Sequence, residues 1–242
     1  MRVCAVIPAA GRGTRLGADT PKILTRLTAT DTIWSILQDK LAPLVDHIHL
    51  VLSPGGAAAF PPLTTNVSTS IQPAPTGMGD AIFRGYDVWS QYDAVLIVWG
   101  DQVFVSSDTL KRALAALTVP ERHAVLPVTR MATPYVEYVF DGPRLTKVLQ
   151  TREGDATRPN GYSDVGTFLL STAGLKSAWD AFLAQAPRGA ATSEINFLPF
   201  LPYLSAQGWR ITPVEVADAT EARGINTKDD LAFFQSLYKN AP

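Results

Sequence analysis

The sequence predicts an α/β fold of three layers (αβα), in which a doubly wound, mostly parallel, Rossmann-like sheet lies between two layers of helices. A small β-rich insertion is also predicted. Apolar strand candidates alternate with amphipathic helix candidates over about the first 130 residues, which indicates right-handed βαβ units. The run 94–99 is apolar without alternation, as expected for a central strand covered on both faces. Beyond residue 133 the pattern changes to that of a hairpin.

Strands and helices alternate in the first half of the chain. A strand over Val3–Ile7 comes first, and Asp31 or Thr32 caps a helix that ends near Leu41. A turn at Pro54-Gly55-Gly56 closes the second strand. The remaining predicted elements are strands over 47–52, 67–72, 94–99 and 123–128, and helices from about 76 to 89 and from 106 or 107 to about 117.

Paired strands enter in the second half. Two apolar segments, 135–140 and 145–149, flank Asp141-Gly142-Pro143 and predict a hairpin, and a charged loop follows over 152–162. The remaining predicted elements are strands over 165–170 and 209–214, a helix over 173–184, a broken helix from Ser193, and a last helix over 227–239.

Composition and charge exclude several function classes. The 242 residues suffice for one large domain with a substantial core. The net charge of −1 argues against a nucleic-acid partner, and no run reaches the ~18 apolar residues of a membrane span. The single Cys4 is expected to be a buried apolar residue. Because the first apolar run is too short for a signal peptide, the sequence predicts a soluble, cytoplasmic protein.

The stretch from Ala9 to Lys22 concentrates glycine and positive charge after the first predicted strand. Within seven residues it contains Gly11, Arg12, Gly13, Arg15 and Gly17. Backbone N–H groups of such a loop form a concave anion site. The spacing excludes a Walker loop and departs from the dinucleotide fingerprint, and Pro21 interrupts any following helix. On the glycines alone, a surface loop that binds nothing is equally acceptable.

The same loop carries the motif Ala9-Ala10-Gly11-Arg12-Gly13-Thr14-Arg15-Leu16, with Pro21-Lys22 a few residues later. This motif resembles the signature of nucleotidyltransferases that activate sugar 1-phosphates, among them uridylyl-, thymidylyl- and cytidylyltransferases, whose fold is of the nucleotidyltransferase or GT-A-like type. The resemblance implies that the catalytic residues Arg15 and Lys22 contact the phosphates. The nucleotide-binding residues that it implies in the loop are Ala9, Ala10, Gly11, Gly13 and Thr14.

A magnesium site is implied by two further segments. Asp101 follows the apolar strand 94–99, and ligands bind at the carboxyl ends of such strands, although from position alone a turn-capping aspartate is the commoner explanation. The resemblance implies that Asp101 is a catalytic Mg²⁺ ligand and that Asn226, in Gly224-Ile225-Asn226-Thr227, is the second ligand. Magnesium takes only one or two ligands from protein, so this pair would suffice. A plain turn role for Asn226 stays open.

Base recognition is expected between the third strand and the following helix. Family members that bind uridine or thymidine nucleotides have a glutamine and then a glycine-rich turn, and Gln72, Gly77 and Met78 stand in those places. Met78 departs from the usual small hydroxyl residue. The resemblance therefore favours a pyrimidine and leaves a purine open.

The acceptor side departs further from the family pattern. Tyr135, Glu137, Asp164 and Glu194 are the candidate acceptor-binding residues, and solvated loop charges are an equal alternative for the three acids. The resemblance implies a single nucleotidyltransferase domain over 1–242, with an NTP-binding part over about 1–130, an acceptor-binding part over about 131–225 and a C-terminal helix over about 227–239.

The function implied is magnesium-dependent transfer of a nucleotidyl group from an NTP to a small phosphorylated or phosphonate acceptor, such as a sugar 1-phosphate, with release of pyrophosphate. This role belongs to nucleotide-sugar biosynthesis. Two alternatives stay open: a non-catalytic nucleotide-binding regulatory module and an NAD(P)-dependent oxidoreductase. No nucleic-acid or membrane partner is expected, and a homo-oligomer stays open.

Overall fold

The structure is a computed structural model that describes residues 1–11, 21–186 and 188–239. Within these residues the strands form one sheet in the order β3-β2-β1-β4-β9-β5-β8-β6-β7, with β10 paired to β5. The strands are β1 (Val3–Ala9), β2 (His47–Leu52), β3 (Val67–Ile71), β4 (Ala94–Val98), β5 (His123–Met131), β6 (Val136–Asp141), β7 (Arg144–Gln150), β8 (Gly161–Asp164), β9 (Thr167–Ser171) and β10 (Arg210–Glu215).

The sheet is parallel in its first half and mixed beyond it. β1 pairs in parallel with β2 on one side and with β4 on the other, and β3 extends the parallel run. β9 runs antiparallel between β4 and β5, while β10 is parallel to β5. The predicted α/β class with a mostly parallel core is therefore confirmed. The connection after β1 leads to β2 on one side of β1, whereas β4 lies on the other side. At such a change of direction a crevice forms at the carboxyl ends of the two strands, here β1 and β4.

Helices cover both faces of this sheet. They are α1 (Ile33–Leu41), α2 (Pro54–Ala59), α3 (Met78–Arg84), α4 (Tyr86–Trp89), α5 (Ser107–Ala116), α6 (Leu175–Leu183), α7 (Phe200–Ala206) and α8 (Lys228–Lys239). Alternate residues of β1 enter two separate cores, Ala5 and Ile7 on one face, Cys4 and Val6 on the other. Helices α1, α5 and α8 pack on the first core, and α3, α4, α6 and α7 on the second, which gives three layers.

Two local predictions in the first half were wrong. The predicted turn at Pro54 is the start of α2, because the Ser53 side chain accepts the Gly56 N–H at 3.1 Å and proline suits the first helical position. The predicted single helix up to residue 89 divides at Gly85 into α3 and α4. A Cβ at Gly85 would lie 2.7 Å from the His49 ring, so the chain passes close to β2 at this glycine.

The second half follows the prediction in outline. The hairpin is present as β6 and β7. Strand β8, whose first two residues fall in the predicted loop 152–162, joins β5 to β6 and extends the sheet to the hairpin. The helix expected from Ser193 begins only at Phe200. Within the described ranges no helix is long and apolar enough to cross a membrane.

Candidate active site

Three side chains that are far apart in the sequence meet at the carboxyl ends of β1 and β4. The Lys22 ammonium donates to Asp101 Oδ2 at 2.6 Å and to Asn226 Oδ1 at 3.0 Å. The Lys22 and Asp101 side chains retain only 19% and 18% of their exposure, so the ion pair is largely shielded from water. The three residues, which the sequence analysis singled out separately, therefore form one cluster.

Backbone contacts explain why these side chains meet. Lys22 starts a single 3₁₀ turn, and Asp101 follows β4. The Ile225 N–H donates to the Asp101 carbonyl at 3.1 Å and holds the turn before α8 against the end of β4. A Cβ at Gly224 would lie 3.1 Å from Asp101 Cγ, so glycine permits this close approach.

Asp230 orders the Asn226 turn from the other side. Its carboxylate accepts the N–H groups of Asn226 at 3.0 Å and Thr227 at 2.9 Å, and it pairs with Arg223 at 3.0 Å. Burial alone would raise the pKa of Asp230, but these hydrogen bonds lower it below its usual value. Asp230 therefore stays ionised and fixes the backbone from which Asn226 projects.

The chemistry of the cluster suits a hard divalent cation. The carboxylate oxygen of Asp101 and the amide oxygen of Asn226 already face one positive group, the Lys22 ammonium. Magnesium prefers oxygen ligands and completes its shell with water and phosphate. Among the described residues there is no group of three or more His, Cys, Asp or Glu side chains that could hold a metal ion.

A cleft of about 540 Å³ opens beside the first strand. Its walls are Ala10 and Gly11 after β1, the start of α2 from Ser53 to Gly56, and the segment from Gln72 to Pro75. Ala9 is the buried last residue of β1. Gly13, Thr14 and Arg15 lie outside the described residues. The α2 wall was missed in the sequence analysis, although a serine before proline is a helix-start signal.

Gln72 and Gly77 shape the turn at one end of this cleft. The buried Gln72 donates from Nε2 to Thr76 Oγ1, the Gly77 carbonyl and Asp80 Oδ2, at 3.1, 3.0 and 2.9 Å. Gly77 has φ of +118°, and a Cβ there would lie 2.6 Å from the backbone of Ile195. Glycine is required here by backbone conformation and by space. Met78 begins α3 and packs partly against the second core.

On the acceptor side, Asp164 lies near Asp101. The pKa of Asp164 is raised to about 6, mainly by burial and also by the negative charge of Asp101. Hydrogen bonds from the Gly166 backbone and the Trp99 side chain lower this pKa and only partly offset the increase. The pKa of the buried Tyr138 is raised by burial and by Asp164, so this hydroxyl lies in the same neighbourhood. Within the described part of the chain, the Tyr138 hydroxyl has no hydrogen-bond partner.

The other acceptor candidates do not join Asp164. Glu137 is fully buried, and its carboxylate accepts the Arg158 backbone N–H and Nε, both at 2.6 Å, so it is part of the interior. Glu194 pairs with Arg152 at 2.8 Å. Tyr135 is 59% exposed, and its carbonyl accepts the Thr151 N–H at 3.1 Å. The sequence analysis gave no role to Glu153, which binds the segment that carries Glu194.

Comparisons with known proteins show the family of this chain. Residues 5–165 match the model of the MobA-like NTP transferase domain. The chain is 29% identical over 247 aligned positions to the bifunctional protein GlmU of two strains of Acidithiobacillus ferrooxidans, and the match covers 97% of this chain but 51% of the relative. The chain thus spans about half the length of the curated relatives it matches.

A solved structure has the same fold. It is a crystal structure from Bacillus anthracis assigned as a glucose-1-phosphate thymidylyltransferase, in complex with sucrose. The TM-score is 0.76, and the match covers 99% of this chain and 96% of that one. At 15% identity this similarity shows the fold alone.

Proposed function

The chain belongs to the MobA-like NTP transferase domain family, and on that premise we propose that it is a magnesium-dependent nucleotidyltransferase. Its substrates are an NTP, preferably a pyrimidine one (UTP, CTP or dTTP), and a sugar 1-phosphate or a similar phosphate or phosphonate. An oxygen of the acceptor forms a bond to the α-phosphorus. The bond from the α-phosphorus to the oxygen of the leaving pyrophosphate breaks.

One observation carries this proposal: Lys22, Asp101 and Asn226 converge at the crevice between β1 and β4. A structural ion pair would need only a lysine and an aspartate. The third member adds an amide oxygen that faces the same ammonium, and a second oxygen ligand of this kind is a feature of a metal site. The nearby cleft, with Ala10, Gly11 and Gln72 in its walls, has room for a nucleoside beside this cluster.

The residues of the chain supply position and charge. Asp101 and Asn226 would hold Mg²⁺, which when bound supplies positive charge to the phosphates and to the attacking oxygen. Lys22, displaced from these two oxygens by the metal ion, would supply a second positive charge to the phosphates. The acceptor is already an anion, so no general base is required, and the proposed catalysis consists of orientation and charge neutralisation. Arg15 is proposed to act on the triphosphate with Lys22.

Substrate choice is the finer part of the proposal. The Gln72 and Gly77 turn supports a pyrimidine by the family resemblance, with Gln72 in the wall of the cleft. Asp164 is the proposed acceptor contact, because the turn after Asp164 lies against the turn that carries Asp101, where the Trp99 N–H donates to the Gly166 carbonyl at 2.9 Å. The solved neighbour described as a glucose-1-phosphate thymidylyltransferase supports a sugar 1-phosphate as the first acceptor to test.

The test is pyrophosphate release from each NTP with a panel of sugar 1-phosphates, phosphoalcohols and phosphonates, with and without Mg²⁺. We expect Asp101→Asn to lower turnover on the order of 10²–10³-fold, as loss of one charge-stabilising group does in other enzymes. Asp108→Asn is the matched control, because Asp108 is an exposed residue of α5 that pairs only across the helix surface with Arg112. Turnover by Asp101→Asn equal to that of the control would refute the proposal.

A further inference from the structure

Residues 189–196, here called the bridging segment, contact both sides of the candidate site. On the nucleotide side the Ile195 N–H donates to the Thr76 carbonyl at 2.8 Å, and the Gly79 N–H donates to the Ile195 carbonyl at 2.9 Å. The second bond satisfies an N–H of the first turn of α3, which has no acceptor within its own helix. The bridging segment therefore fixes both ends of the Thr76–Gly79 turn.

Gly77 makes this contact close. A Cβ at Gly77 would lie 2.6 Å from both the N and the O of Ile195 and 3.0 Å from Glu194 Cβ. The two backbones thus approach at a distance that no side chain between them would permit. The Ile195 backbone packs directly against Gly77, which has φ of +118°. A displacement of Ile195 would therefore remove the contact that restricts Gly77 to this conformation. The conformation of the turn therefore depends on where the bridging segment lies.

Glu153 holds the bridging segment on the acceptor side. Its Oε2 accepts the Ala191 N–H at 2.9 Å, and its Oε1 accepts Thr192 Oγ1 at 2.8 Å and Asn196 Nδ2 at 3.1 Å. Burial alone would raise the pKa of Glu153, but these donors lower it. The carboxylate is therefore ionised at neutral pH and makes charge-assisted hydrogen bonds, which are stronger than neutral ones.

Internal bonds make the bridging segment a compact unit. The Gly189 N–H donates to the Glu194 carbonyl at 2.9 Å, and the Ser193 N–H to the Gly189 carbonyl at 2.8 Å. Ser193 has φ of +57°, which is uncommon for a residue other than glycine. The neighbouring ion pair of Arg152 and Glu194 is half-exposed on its arginine side and contributes little. The hydrogen bonds that fix Ala191 and Asn196 therefore also fix the position of Ile195.

We infer that Glu153 is a positioning residue, which holds the nucleotide-side turn Thr76–Gly79 in place through the bridging segment and so links the loop after β7 to the nucleotide cleft. The inference rests on the proposed function only in identifying that turn as part of the nucleotide site. Glu153 acts through three hydrogen bonds that it accepts from the bridging segment and through the two backbone hydrogen bonds that Ile195 makes, one donated to Thr76 and one accepted from Gly79.

The experiment compares wild-type protein with Glu153→Ala, Glu153→Gln and the control Glu121→Gln. Glu121 is an exposed acid paired with Arg210 at 3.3 Å. Amide hydrogen exchange is followed in peptides that cover 74–82 and 188–198, and NTP affinity is measured by calorimetry with Mg²⁺. In Glu153→Ala we expect faster exchange in both peptides and roughly tenfold weaker NTP binding. Glu153→Gln retains one acceptor oxygen and should give an intermediate result.

Three outcomes decide between the possibilities. Faster exchange in both peptides, with smaller changes in Glu153→Gln and none in Glu121→Gln, supports the positioning role. Faster exchange confined to 188–198 overturns it, because the effect then stops before the turn. If wild-type protein binds no NTP at all, the proposed function fails, while exchange in 74–82 still decides the role of Glu153.

Discussion

Lys22 is expected to compete with the divalent cation for the same two oxygens. Its ammonium lies 2.6 Å from Asp101 Oδ2 and 3.0 Å from Asn226 Oδ1, so a cation bound by both oxygens must displace it. Lys22→Met keeps the length of the side chain and removes the charge. A hydrogen bond to a charged group contributes about 1.5–3 kcal/mol, and the lower end applies because water would partly solvate the released ammonium. Removing this competition should raise metal affinity by roughly tenfold.

Mn²⁺ is the probe for this prediction, with free ion counted by electron paramagnetic resonance in the absence of nucleotide. Lys22→Met should bind Mn²⁺ more tightly than wild-type protein, even though its turnover is lower. Lys176→Met is the control, because Lys176 pairs with Asp180 on the exposed face of α6. Asp101→Asn should lose the site and thereby identify it. Equal or weaker Mn²⁺ binding by Lys22→Met would refute the idea that the ammonium occupies the cation position.

Two further predictions concern stability. Gly77→Ala places a Cβ 2.6 Å from the Ile195 backbone at φ of +118°, so thermal unfolding should show a loss of about 1–3 kcal/mol, with weaker NTP binding; an unchanged melting temperature would contradict this. Burial and the neighbouring His47 lower the pKa of His49 to about 4. As the pH falls from about 6.5 to 4, this histidine is therefore protonated in the unfolded chain but stays neutral in the native state, which favours unfolding. His49 should therefore account for a loss of stability on the order of 3 kcal/mol over that interval, and urea titrations of His49→Gln should show a loss smaller by about that amount than in wild-type protein.

The strand pattern predicted the edge of the sheet at which Asp101 lies. Asp101 could be placed because a buried apolar strand ends just before it, and the carboxyl ends of parallel strands lie at one edge of the sheet. Lys22 and Asn226 came from the family motif, and their contact with Asp101 agrees with it. The local pattern also predicted the hairpin, because alternating strands flanked a turn at 141–143.

The sequence could not predict contacts whose partners are distant and polar. Glu137 was a candidate acceptor-binding residue, with a solvated loop charge as the equal alternative, but it is buried and accepts hydrogen bonds from Arg158, 21 positions later. The donors to Glu153 lie 38 to 43 positions away, in a segment without regular periodicity. Strand β8 contains glycine, serine and aspartate, and it is a strand because β5 and β6 offer it backbone partners. Such pairings depend on the tertiary structure rather than on local preference.

The largely shielded pair of Lys22 and Asp101 constrains the order of events at the site. Breaking this pair leaves two charges with little contact with water, which is unfavourable unless each finds a new partner. A triphosphate alone would take the ammonium and leave Asp101 unpaired, and a divalent cation alone would take Asp101 and leave Lys22 unpaired. The NTP–Mg²⁺ complex of the proposed reaction would supply both partners at once. We therefore expect nucleotide and metal to bind with positive coupling, and calorimetry should show that Lys22→Met weakens this coupling, since no ammonium then needs a new partner. Coupling of equal size in the wild-type protein and the variant would contradict this account.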